Sequence, residues 1–153
     1  MSRRNAITLT AEELLAFLEE ERTLVIATIG RDGFPHLMPL WYVVRDGLPW
    51  CWTYAKSQKI RNLERDPRCT LLLEAGEAYH ELRGVMFKAH ATIHRDVETV
   101  AGIGADLAVR YSGTALTSDV DVAMRAQALK RVGLSFQVTD TVTWDHSKLG
   151  GTY

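Results

Sequence analysis

Polar and apolar positions along this chain repeat at two periods, and the changes between them mark the elements. Thr10-Ala11-Glu12-Glu13 has the S/T-x-x-E spacing of a capping box, with Thr10 as cap and Glu13 reaching back. Leu14, Leu15, Phe17 and Leu18 follow at helical spacing, predicting a helix to about Glu21. Thr23–Ile29 is rich in β-branched residues and reads as a strand. The turn Gly30-Arg31-Asp32-Gly33 leads to a second strand, 35–44, and Arg45-Asp46-Gly47 turns into a third, 48–54. Three antiparallel strands joined this way predict a meander.

After a short helical segment stopped by Asp66-Pro67, residues 69–74 read as a fourth strand. Residues 81–94 alternate apolar and polar and predict one or two further strands pairing with 69–74, with Gly84 as a candidate bulge. Asp96 opens a helix whose apolar face is Val100, Ile103, Leu107 and, on its flank, Val109. Gly102 and Gly104 weaken this helix by up to ~1 kcal/mol each, so packing must compensate. Ser112-Gly113-Thr114-Ala115 reads as a loop. A second helix is predicted over 120–131 with Val122, Ala123, Ala126 and Leu129 inward, then a last strand over 134–144. Many short strands with turn chemistry between them, and few helices, predict a mainly β fold: a closed or nearly closed antiparallel barrel with flanking helices.

The 153 residues fit one domain, 1–153, without internal repeat or linker. A net charge of −1 argues against a broad nucleic-acid surface. No apolar run approaches the ~20 residues a bilayer-spanning helix needs, and Met1–Asn5 lacks a signal peptide's apolar core, so a cytoplasmic protein is expected. Cys51 and Cys69 lie in separate strands and read as buried, inert thiols. The five histidines, His36, His80, His90, His94 and His146, have no metal-ligand spacing, and no metal site is expected. Trp50 and Trp52 share one strand face, opposite Cys51, and read as packing residues.

The chemistry concentrates at residues 53–63. Thr53, Tyr54 and Ser57 bring hydroxyls, and Lys56 and Lys59 bring ammonium groups, to one strand-to-helix corner. A helix's first turn leaves N–H groups unpaired at the positive end of its dipole, so such a corner suits a phosphate. The alternative is that Ser57 caps the helix and the lysines are solvated.

Taken in order, Pro39-Leu40-Trp41-Tyr42, the T-x-x-x-S-x-K corner, Asn62-Leu63, Asp66-Pro67-Arg68, residues 79–85 and Trp144-Asp145-His146-Ser147-Lys148-Leu149 resemble the pyridoxamine-5′-phosphate-oxidase-like split barrels. The resemblance covers nearly the whole chain and implies a split β-barrel binding flavin or deazaflavin at a homodimer interface. It implies that Thr53, Lys56, Ser57 and Lys59 hold phosphate, with Asn62 in support. The backbone of Met38, Pro39, Leu40 and Trp41 would meet the ring, with Trp144 and Lys148 also directed at the cofactor. The basic residues that flank the ring strand in true pyridoxamine phosphate oxidases are absent, as are their C-terminal substrate-binding arginines, and Ala89 replaces a frequent glycine. These departures argue against vitamin B6 oxidation. The detailed motifs are similar to the branch using coenzyme F420, which implies a deazaflavin-dependent oxidoreductase acting on a small conjugated acceptor. An FMN-dependent oxidase or reductase and a non-catalytic cofactor carrier are the alternatives. No catalytic side chain is identified; His36 and Tyr79 are the candidate proton donors.

Overall fold

Thr10 caps the first long helix as its capping box requires: the Glu13 N–H donates to Thr10 Oγ1 at 3.2 Å and the Thr10 N–H to Glu13 Oε2 at 2.7 Å. The computed structural model describes residues 3–113 and 115–150; Met1, Ser2, Thr114 of the expected loop and the last three tail residues lie outside it. The elements are α1 (Arg3–Ala6), α2 (Ala11–Glu20), β1 (Leu24–Ile29), β2 (Pro35–Leu40), β3 (Val43–Arg45), β4 (Leu48–Tyr54), α3 (Gln58–Arg65), β5 (Arg68–Ala75), β6 (Arg83–His94), α4 (Val97–Ser112), α5 (Ser118–Ala128) and β7 (Arg131–Asp145). Short 3-10 turns occupy Tyr79–Glu81 and His146–Leu149.

The strands form one antiparallel sheet in the order β2-β1-β5-β6-β7-β4-β3. This corrects the expected meander. The second predicted strand breaks at Trp41-Tyr42, and its halves, β2 and β3, lie at opposite edges of the sheet. Three Cα–Cα steps separate Leu40 from Val43, and at 3.8 Å a step they span at most ~11 Å. The two sheet edges must therefore come within about that distance, which curls the sheet into a split barrel. A buried anchor holds the crossing: Tyr42 is fully buried, and its Oη lies 2.6 Å from the Leu18 carbonyl and 2.8 Å from that of Glu21.

Alternation places Leu24, Ile26, Cys51, Leu71, Leu73, Val85, Phe87, Ala89, Leu134 and Phe136 in one buried cluster, joined by Phe17 and Leu18 of α2 and Ile60 and Leu63 of α3. Leu15, expected in the α2 stripe, is exposed. Cys51 and Cys69 are free and buried, and burial pushes both thiols up, Cys69 to about 12. On the opposite face of β4, Trp50 and Trp52 pack with Ile103 and Leu107 of α4. Gly104 makes that packing possible: a Cβ there would lie 2.6 Å from Trp52 Cη2. Gly104→Ala should thus lower stability by about 1–2 kcal/mol in denaturant melts, because overpacking outweighs the gain in helix propensity.

Three further expectations change. Residues 83–94 form one continuous strand, and its irregularity falls between Lys88 and Ala89, not at Gly84, which pairs regularly with Glu74 and Trp144. Val109 on α4 is exposed. On α5, the residues expected inward (Val122, Ala123, Ala126 and Leu129) are exposed, Val122 and Leu129 at 67% and 75%. The helix instead packs through Met124 and Ala128 against Val100 and Ala101 of α4. It ends at Ala128 because Arg131 already pairs with Tyr54 in the sheet. A helix lying against one neighbour buries one narrow stripe, and tertiary packing, not apolar content, chose which. No helix among the described residues is long and apolar enough to cross a membrane.

Candidate functional site

β4 delivers Thr53 to the barrel mouth, and a two-residue turn leads to Ser57 at the start of α3. Ser57 has the extended backbone of an N-cap but makes no side-chain cap bond, and its Oγ is buried without a partner among the described residues. Capping therefore does not account for it. Lys56 is exposed. Lys59 is not a solvated lysine: it is 7% exposed, and its Nζ donates to Thr53 Oγ1 at 3.1 Å. No carboxylate among the described residues lies within ion-pair distance of it. Burial pushes this ammonium below the ordinary lysine value.

Asn62 is fully buried and locks α3 to β1. Its Nδ2 donates to Thr28 Oγ1 at 3.0 Å, and its Oδ1 accepts from Gln58 Nε2 at 2.9 Å. Asn62 thus holds the helix that carries Lys59. His36 stands opposite Thr28 in the β1–β2 register, and its Nδ1 is buried without a partner among the described residues. With Arg31, Phe34, Gln58 and Asn62 it lines a cavity of about 370 Å³. A second cavity of about 370 Å³ lies across β1, β5 and β6, beside Arg68, Lys88 and His90. Neither cavity is lined by Lys59 or Ser57.

Met38, Pro39 and Leu40 lie on β2, an edge strand, so one side of its backbone has no neighbouring strand in the sheet. Met38 and Pro39 are exposed and Leu40 half-buried. Trp41 follows at 58% exposure and stacks on Tyr111, with centroids 4.4 Å apart and planes within 10°. Tyr111, at the end of α4, carries no sequence motif, and only the fold brings it to Trp41.

Trp144 and Lys148 are elsewhere. Thr53 pairs with Val132, twelve residues before Trp144 on β7; at ~3.3 Å per residue that is roughly 40 Å of strand. Trp144 lies over Gly84, and Lys148 Nζ reaches the Thr8 carbonyl at 2.9 Å and Glu13 Oε2 at 2.5 Å. Within one chain, the expected site residues therefore fall into two groups. Tyr79 and His146 belong with the second, their rings 4.5 Å apart. His94 packs on Trp50 and meets Ser135 Oγ at 2.8 Å.

A family model described as pyridoxamine 5′-phosphate oxidase matches residues 10–144. The chain belongs to this family. The match runs from the cap of α2 to Trp144, so all but the last residue of the sheet of this pyridoxamine 5′-phosphate oxidase family member lies inside it. A search of curated proteins finds no match. Among solved structures, the conserved hypothetical protein Rv2991 from Mycobacterium tuberculosis is 40% identical, with a TM-score of 0.92 over 100% of this chain and 95% of that one. An F420 reductase is 20% identical, with a TM-score of 0.64 over 82% and 93%. HutZ, a heme storage protein from Vibrio cholerae, is 19% identical, with a TM-score of 0.67 over 89% and 96%. The latter two likenesses show the split-barrel fold alone.

Proposed function

We propose that this protein is an oxidoreductase that uses the deazaflavin coenzyme F420 and reduces a small conjugated organic acceptor. The observation that carries the reading is Lys59. A buried ammonium without a carboxylate partner is costly unless the site is built for an anion. Beside it stand Thr53, the unpartnered Ser57 Oγ and the first turn of α3. These groups fit a phosphate.

In this reading Thr53, Ser57 and Lys59 hold the phosphate, Lys56 adds charge from the rim, and Asn62 keeps α3 in place. The unpaired edge of β2 over Met38, Pro39, Leu40 and the Trp41 backbone receives the ring. The bound coenzyme supplies the hydride, and the chain supplies orientation and exclusion of water. Reduction adds that hydride and one proton to the acceptor, and His36, with its unpartnered Nδ1, is the nearby candidate proton donor. Trp144, twelve residues along β7 from the Val132 that pairs with Thr53, and Lys148, in the turn after β7, lie away from the phosphate corner, which supports a homodimer in which they serve the partner's site.

The F420 reductase among the structural neighbours and the departures from the pyridoxamine-oxidising pattern support the choice of coenzyme. Titrating coenzyme F420 and FMN separately while following tryptophan fluorescence tests it: saturable binding of F420 and weaker binding of FMN is the expected result. Tighter binding of FMN would move the protein to the flavin-dependent branch. Tight F420 binding with no turnover of any enone or quinone, in the presence of a reduced-cofactor regenerating system, would make it a carrier.

A further inference from the structure

Trp41 is largely exposed yet held in place. One face of its indole is covered by Tyr111, and no other ring or cation pairs with it among the described residues. Tyr111 is itself anchored: its Oη accepts the Tyr42 N–H at 3.0 Å and donates to the Arg22 carbonyl at 2.6 Å. The Arg22 guanidinium carbon lies 5.6 Å from the centroid of the Tyr111 ring. The exposed indole is therefore an ordered surface, and a ligand stacking on it need not first immobilise it. An electron-rich indole favours a flat, electron-poor partner in offset stacking.

We propose that the open face of Trp41 is the acceptor subsite, taking a flat conjugated carbonyl compound of the quinone or enone class, and that Tyr111 is the positioning residue that holds the indole. The identity of the bound molecule as an acceptor rests on the function proposed above, because Trp41 directly follows the strand edge assigned to the cofactor ring. Binding itself does not require the cofactor.

The test uses cofactor-free protein and menadione (2-methyl-1,4-naphthoquinone) as the probe, read by quenching of tryptophan fluorescence. Wild type should quench saturably. Tyr111→Leu should weaken apparent affinity about 3- to 10-fold, and Tyr111→Phe, which keeps a ring to stack but loses the Oη bonds to Tyr42 and Arg22, should fall between Tyr111→Leu and wild type. Should Tyr111→Leu not fold, Trp41→Leu, at an exposed position, decides the matter; because it lacks the reporting indole, its menadione binding is measured by equilibrium dialysis beside wild type and should lose saturation. Wild-type affinity in Trp41→Leu, or absence of saturable quenching in wild type, would overturn the subsite. Loss of quenching with rising protein concentration, in step with dimer formation, would also overturn it by showing that a second copy covers the indole. Menadione binding as expected, with no binding of F420 or FMN, would leave the subsite standing and refute the proposed cofactor reading instead.

Discussion

Lys59→Met should lower affinity for the phosphorylated cofactor by one to two orders of magnitude while leaving the fold intact. A charge-assisted hydrogen bond to phosphate contributes about 1.5–3 kcal/mol, and each ~1.4 kcal/mol is a factor of ten. The apo protein should melt within ~1 kcal/mol of wild type, since the lost bond to Thr53 is offset by removal of a buried, unpaired charge. Thermal melts and fluorescence titration read the two effects separately. The pH dependence supplies a signature. Because burial lowers the pKa of Lys59 in the folded chain, the cost of its charge is fully present below that lowered value. As pH rises from the lowered folded value toward the ordinary 10.5, the unfolded chain binds more protons than the folded one, so stability attributable to this residue increases. The difference between wild type and Lys59→Met should therefore shift in favour of wild type across that alkaline window. Equal cofactor affinity in the two proteins would show that the anion lies elsewhere.

Gly84→Ala should be the more damaging change to stability, costing about 3 kcal/mol or more. A Cβ at residue 84 would lie 2.6 Å from the Leu73 carbonyl oxygen and would meet the indole of Trp144. The carbonyl belongs to the neighbouring strand β5, so it cannot swing aside as a side chain can. The strands must part or the indole must leave. Denaturant unfolding measures the loss, and near-ultraviolet circular dichroism should show Trp144 losing its fixed environment. A melting curve like that of wild type would mean that the close approach of Gly84 to β5 and Trp144 is not a constraint in solution.

The two positions differ in how far the residues alone foretold them. Lys59 belongs to a corner whose hydroxyls and ammonium groups are visible as local spacing, and the structure places Thr53 and Lys59 in contact. What spacing does not reveal is which lysine is buried; Lys56 and Lys59 differ only in the face of the turn they occupy. A glycine in a strand has several physical uses, a bulge among them, and spacing does not distinguish them at Gly84. The one it serves, clearance for Trp144, depends on a residue sixty positions away. Tyr111 carried no signal because its importance lies in meeting Trp41 from another element. The inward face of α5 is hidden from the sequence for a related reason: a helix with apolar residues on two sides needs its neighbour to say which is inside.

By itself, then, the order of residues determined the alternating strands, the capped helix and the spacing that gathers hydroxyls and lysines at residues 53–59, all of which rest on near neighbours in the chain. Tertiary structure alone decided that β2 and β3 part to opposite sheet edges, that Trp41 lies on Tyr111, and that Trp144 comes twelve residues along β7 from the partner of Thr53. Local spacing sets backbone conformation and side-chain facing, but only closure of the sheet sets which distant residues meet. That closure follows from the summed packing of the core.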